Sequence, residues 1–247
     1  MVLAASDWRD AHAYTWLMPG DRRCFAWEWL RRTSAYRQAW IERDSPHRFG
    51  LIRLADPDHD ALLARPIWNT TVDHAVLHAE ISLVDQDDCC DFARFVDLTT
   101  TLPAPCGGAH ILLSDGLRSI RIDVQGGDPM GAPVSLNWHI SGVAHIGVQV
   151  AALGQFITLA RQGRFSRNLH PPERRARRWI AMLRVADALA SGASTREIVS
   201  GLFGVDTSHP RWRTDCASWR LRAQRLTASA RAYLAMGPAG WLNGEIR

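Results

Sequence analysis

Residues 194–204 read Ser-Thr-Arg-Glu-Ile-Val-Ser-Gly-Leu-Phe-Gly, and this stretch decides how the last third of the chain folds. Ser194 followed three residues later by Glu197 is a capping box. The Ser194 side chain accepts from the amide of position 197 while the Glu197 carboxylate reaches back, so a helix starts here. Ile198, Leu202 and Phe203 form its buried side and Gly204 ends it. Upstream, Glu173–Ser191 is amphipathic, with Trp179, Leu183, Ala186 and Ala190 on one face, and Arg174, Arg175, Arg177 and Arg178 flanking it. Downstream, a connector over Val205–His209 leads to Pro210 and a helix reaching Met236, whose inward stripe is Trp219, Ala223, Leu226, Ala230 and Tyr233. Short helix, connector and longer arginine-bearing helix make a helix-turn-helix layout. In it, Ser194, Thr195 and Arg196 face a phosphate backbone. Arg211, Arg213, Arg220, Arg222 and Arg225 supply groove and phosphate contacts. A plain helical bundle serving protein contacts is the competing reading of the same spacing.

Charge supports the first reading. All 29 basic residues are Arg, and the absence of Lys removes Walker-type phosphate loops, Schiff-base chemistry and pyridoxal-phosphate anchoring. Residues 1–160 hold 13 Arg against 19 acids, whereas 161–247 hold 16 Arg against 6, so a net +4 conceals an acidic front and a strongly basic end. A basic unit of this kind neutralises nucleic-acid phosphates.

The remainder divides by period. From Asp7 to Arg43 the pattern is helical and aromatic, broken at Pro19-Gly20. Phe25, Trp29, Ala26 and Leu30 lay an apolar stripe with Glu28, Arg31 and Arg32 at its edges, and Ser34 caps a second helix. The middle turns to strands. His110–Val124 with Asp115-Gly116 at its centre is a β-hairpin, Pro133–Ile140 a further strand, and Phe49–Leu54 and Ala75–Val84 weaker ones. Val143–Gln162 is a long helix with Ile146, Val150, Leu153, Ile157 and Ala160 as its stripe, closed by Gly163. The expected fold is α+β: a helical N-terminal module over 1–47, a β-rich middle with hairpin and long helix over 48–163, and a helix-turn-helix domain over 164–247.

Other chemistry finds little support. Five cysteines, two adjacent, suggest no disulfide framework. His74 and His78 with Cys89 and Cys90 invite a zinc reading, but four-apart residues on a strand stand too far apart to ligate jointly. Asp85, Asp87, Asp88 and Asp91 lack the glycine and terminal glutamate of a calcium loop and read as a solvated turn. There is no nucleophile elbow and no dinucleotide turn. No catalytic residue, metal or cofactor is expected. The start of the chain has no secretory pattern and no apolar run spans a membrane, so a cytoplasmic protein is expected.

The string Pro171-Pro172-Glu173-Arg174-Arg175-Ala176-Arg177-Arg178-Trp179-Ile180, continued by Leu183-Arg184, Asp187-Ala188-Leu189-Ala190, Gly192-Ala193-Ser194, Arg196-Glu197-Ile198, Leu202-Phe203-Gly204 and Trp212, resembles a proteobacterial helix-turn-helix family long described as a domain of unknown function. Phe25-Ala26-Trp27-Glu28-Trp29-Leu30-Arg31-Arg32 with Ala35-Tyr36-Arg37 resembles its N-terminal companion. Together they are similar to the excision activators of integrative and conjugative elements. The chain departs from that pattern at Trp219-Arg220, where the family has Leu-Arg, and at Gly237–Trp241, where it has Gly-Gly-Tyr. The resemblance implies a transcriptional regulator of excision or transfer genes. Its expected partners are double-stranded DNA, RNA polymerase, a single-domain antiactivator and a second protomer. The rival functions are an antiactivator-like protein that binds another regulator without DNA, and an enzyme seated in the middle region.

Overall fold

The computed structural model describes residues 7–82 and 89–243. The N-terminal module opens with a 3-10 turn over His12–Leu17 and continues through α1 (Arg22–Leu30), α2 (Ser34–Glu42) and the single-turn α3 (Ala61–Ala64). Each helix starts on a side chain that accepts from a free first-turn amide. Asp21 takes the Cys24 amide, Thr33 the Tyr36 amide, and Asp60 the amides of Leu62 and Leu63. The cap of α2 is therefore Thr33, one residue before the expected Ser34.

The strand expected over Phe49–Leu54 does not form. A 3-10 turn over Pro46–Phe49 and a single bridge between Leu51 and Trp68 replace it. Gly50 explains the difference: its φ of 69° turns the chain out of the extended region, and a Cβ there would fall 2.7 Å from the Val72 side chain.

The middle region is a five-stranded sheet in the order β2-β3-β4-β1-β5, with β1 (Leu77–Ser82), β2 (Thr99–Pro103), β3 (Ala109–Ser114), β4 (Ser119–Gln125) and β5 (Ser135–His139). Only the β1–β4 pair is parallel. The expected hairpin is β3–β4, in register at Ile111–Ile122 and Leu113–Ile120. Its turn is held by Asp115 Oδ1, which accepts from the amides of Leu117 (3.0 Å) and Arg118 (2.7 Å). Asp85, Asp87 and Asp88 lie outside the described residues. Asp91 caps the 3-10 segment Phe92–Leu98 by accepting from the Ala93 amide.

One face of the sheet packs Leu77, Ile111, Leu113, Ile120 and Ile122 against Phe92, Phe95 and the helix α4 (Ile146–Gln162). The buried side of α4 is Gln149, Ala152, Phe156 and Leu159, so the stripe expected at Val150, Leu153, Ile157 and Ala160 is displaced by one residue. Phe156 sets the rotation. Its ring wedges between Trp138, with centroids 5.0 Å apart, and Phe92 at 6.1 Å, and the largest apolar side chain of the helix wins the core position. Ile146, Val150 and Ile157 are left 45%, 53% and 40% exposed.

The C-terminal helices are α5 (Ala176–Ala190), α6 (Thr195–Phe203), the single-turn α7 (Trp212–Asp215), α8 (Ala217–Met236) and α9 (Pro238–Asn243). They share one hydrophobic core with the N-terminal module. Phe25 meets Trp179 edge to face at 5.2 Å, and Trp29 lies 5.4 Å from Tyr233. The Trp179 indole donates to the Tyr233 hydroxyl (2.9 Å), and the Trp241 indole to the Tyr233 carbonyl (2.7 Å).

Helix α1 is consequently buried from Cys24 through Leu30, Glu28 included, and not only along a stripe. The charge of Glu28 is tolerated because Arg31 and Arg32 both donate to it and its other oxygen accepts from the Ala61 amide at 3.0 Å. Arg32 reaches onward to Asp187 of α5 with two bonds, of 2.8 and 3.0 Å, and the Tyr14 hydroxyl donates to the same carboxylate at 2.6 Å. Arg184, also on α5, donates to the carbonyls of Trp8 (2.8 Å), Arg9 (2.9 Å) and Gly201 (3.2 Å). Ala190, placed on the buried face by its spacing, is exposed at the end of α5, where Gly192 turns the chain.

Two predictions follow from these buried charges. Asp187→Ala removes one of the two carboxylates on Arg32 and the acceptor of the Tyr14 hydroxyl, and should cost about 1–3 kcal/mol, read as a lower urea midpoint at unchanged slope. An Asp187→Ala variant unfolding at the parental midpoint contradicts the assigned role. The second concerns His170, which is buried against Phe165, and whose pKa is pushed down to about 4 by burial and by the Arg118 and Arg23 guanidinium groups. The unfolded chain takes up this proton near pH 6.5 and the folded chain only near 4. Stability is therefore whole above pH 6.5 and falls as pH drops toward 4, by up to about 3 kcal/mol. His170→Leu should flatten that part of the stability-versus-pH curve.

Candidate nucleic-acid interface

Helices α5, α6 and α8 pack as a three-helix unit around Leu183, Ile198, Val199, Ala223 and Ala230, with α8 lying against both of the others. The capping box at the start of α6 forms as its spacing requires. Ser194 Oγ accepts from the Glu197 amide (3.3 Å), and Glu197 Oε2 accepts from the Ser194 amide (2.8 Å). These bonds hold the Glu197 carboxyl below the usual carboxylate range. Ser194 Oγ also donates to Glu197 (2.8 Å), whereas the exposed Thr195 begins the first helical turn beside it.

The long helix expected from Pro210 is interrupted. α7 covers Trp212–Asp215, Cys216 leaves the helical region at φ −109° and ψ 29°, and α8 starts at Ala217. Buried Trp212 anchors α7. Arg196 reaches back over this connector. Its guanidinium donates to the carbonyls of Thr207 (2.7 Å) and Ser208 (2.8 Å), so it braces the chain between α6 and α7.

Trp219 does not occupy the inward stripe of α8 but sits 36% exposed at its edge, with its ring 5.0 Å from Phe203. Arg222 spreads over both rings, with its Cζ 5.0 Å from the Phe203 centroid and 5.5 Å from that of Trp219. This stacking fixes a guanidinium at the protein surface without neutralising it. Arg211, Arg213 and Arg225 are exposed, and Arg220 is half-buried with its Nε enclosed and without a protein partner.

Among the described residues none of Arg211, Arg213, Arg220, Arg222 and Arg225 forms an ion pair. The N-terminal module behaves oppositely: Arg22, Arg23, Arg31, Arg32, Arg37 and Arg48 are each paired with a carboxylate. Which arginines are compensated is not revealed by the net charge of the chain.

A groove of about 440 Å³ runs between the start of α6 and the outer side of α8, lined by Ser194 and Thr195 on one wall and Gln224, Thr227, Ala228 and Arg231 on the other. Gln224 and Arg231 were not singled out from the sequence. Their signal was the i, i+3, i+4, i+7 spacing of 224, 227, 228 and 231, which places the four on one helix face beside the capping box.

The residues considered for metal binding are otherwise engaged. His74 stacks on His145 with ring centroids 3.8 Å apart, and Cys90 bridges Val134 through its backbone. Among the described residues no three His, Cys, Asp or Glu side chains converge as a metal site, and Cys24, Cys90 and Cys216 form no disulfide. No described helix is long and apolar enough to cross a membrane.

Residues 140–237 match the family described as "T6SS, Transcription factor, DNA binding domain". Residues 7–65 match the proteobacterial transcriptional regulator-like domain. The first match takes in α4 as well as the three-helix unit, and the second covers the N-terminal helices. No curated protein matches the chain. Side by side, the two matches support a two-domain, DNA-binding transcriptional regulator.

Proposed function

We propose that the chain is a sequence-directed transcriptional activator that works without catalysis or cofactor, and that its helix-turn-helix consists of α6 and α8. Thr195 opens the first turn of α6 with an exposed hydroxyl that suits a backbone phosphate, beside Ser194, whose own amide and hydroxyl are held by Glu197. Arg196 holds the connector so that α7 and α8 keep their angle to α6. The first half of α8 then enters the major groove with Arg220, Arg222 and Arg225, and Arg211 and Arg213 flank the phosphates. The single observation that carries this reading is that these five guanidinium groups have no carboxylate partner among the described residues.

In this reading the parts divide the labour. The N-terminal module, 1–47, meets RNA polymerase or a single-domain antiactivator, the middle, 48–163, is the spacer and assembly region, and 164–247 reads DNA in the cytoplasm. The genes controlled are those for excision or transfer of a mobile element, on the strength of the motif string 171–198. The likeness of residues 140–237 to a T6SS transcription-factor DNA-binding domain favours a second target, genes of a T6SS.

A second protomer is part of the proposal. Between Asp128 and Arg161 the chain carries no Asp, Glu or Arg, and Val143, Ile146, Val148 and Val150 stand 92%, 45%, 47% and 53% exposed at the start of α4. Ile146, Val150 and Ile157 share one side of α4 at helical spacing, an apolar side of the kind that association covers. A face without charges carries no like-charge repulsion when the same patch of two subunits meets about a two-fold axis.

DNA contact predicts that the affinity for a fragment from the protein's own promoter region falls steeply with salt. About four phosphate contacts give a log–log slope near −4, and Arg211→Ala with Arg213→Ala reduces its magnitude by about 2. Absence of retardation at low salt rejects the reading. For assembly, sedimentation should show a dimer that Val150→Glu converts to monomer. A parental monomer at tens of micromolar rejects that part alone.

A further inference from the structure

Away from the basic helices, a cavity of about 400 Å³ opens between α4, the edge strand β5 and the 3-10 segment Phe92–Leu98. Three aromatic side chains wall it: Phe95 from the 3-10 segment, Trp138 from β5 and Phe156 from α4. The volume falls within the range of small-molecule pockets, and such pockets combine an apolar lining with a few polar groups that fix the ligand.

The polar groups here are two arginines. Arg94 and Arg161 both line the cavity, and neither forms an ion pair among the described residues. Arg94 leans on the Phe95 ring with its Cζ 5.9 Å from the centroid, and Arg161 sits in the last turn of α4. Asp91, the one carboxylate in the lining among the described residues, is engaged with the Ala93 amide as the cap of the 3-10 segment. Two open guanidinium groups against one occupied carboxylate leave the rim positive. Cys90 adds a protonated thiol, its pKa pushed up to about 11 by burial and by Asp91.

We infer that this cavity is a binding site for a small carboxylate with an aromatic body, the ring stacked among Phe95, Trp138 and Phe156 and the carboxylate held by Arg94 and Arg161. An aromatic body suits a wall to which Phe95, Trp138 and Phe156 each contribute a ring. A carboxylate matches the planar donor fork of arginine, and a neutral ligand leaves both cations unused. The site belongs to the middle region and rests on none of the residues assigned to DNA.

Fluorine NMR of the full-length protein tests the assignment, with para-fluorophenylacetate as probe and 2-(para-fluorophenyl)ethanol as its uncharged counterpart. The carboxylate should bind roughly tenfold more tightly than the alcohol. Arg94→Gln and Arg161→Gln, both at exposed positions, should each weaken the carboxylate several-fold and leave the alcohol unchanged. Ala160→Phe, which fills the cavity from α4, should abolish both. The inference is overturned if the carboxylate gives no line broadening at millimolar concentration, if the two probes bind equally, or if the Arg94→Gln/Arg161→Gln double variant binds as the parent does.

Discussion

The guanidinium of Arg32, in the turn after α1, lies between two carboxylates, Glu28 of α1 and Asp187 of α5, 155 residues further along the chain. Glu28 is fully buried and Asp187 largely so, and the three charges compensate one another. This makes the contact between the N-terminal module and α5 all-or-none. The Tyr14 hydroxyl and the Arg184 bonds to Trp8, Arg9 and Gly201 extend the same logic along the interface. An apolar interface tolerates sliding, whereas a bidentate pair within a dry core sets one register.

That registration matters for the basic helices. α8 packs on α5 and α6, and α5 is fixed to α1, so the exposed arginines stand on a foundation that includes the first helices of the chain. The two segments that match regulator families are thus physically joined through one core. A signal received by the N-terminal helices need not cross a flexible linker to reach α8. Gly201 shows how close the joint is: a Cβ there would lie 2.5 Å from the Trp8 ring. The sheet has a separate core, closed by Phe156 of α4.

Much of this was legible in the residues. The capping box, the β3–β4 hairpin with its Asp-Gly turn and the basic end of the chain each follow from rules acting over a few residues, and tertiary packing had no reason to override them. What misled were positions settled by competition between faces. Spacing allowed α4 either of two stripes one residue apart, and the bulk of Phe156 chose between them. Glu28 read as an edge residue because nothing local announces that Arg32 and the Ala61 amide converge on it. Trp219 fitted the inward stripe of α8 by spacing, yet Phe203 draws it to the edge, where Arg222 covers it.

The sequence alone determined the α+β class, the helix starts and the confinement of excess positive charge to the last third, because caps, turns and charge are local or additive properties. Tertiary structure decided which charges are spent internally and which are left free. A carboxylate's neighbours across a core are distant in sequence, and only folding brings Asp187 to Arg32 while leaving Arg222 and Arg225 at the surface.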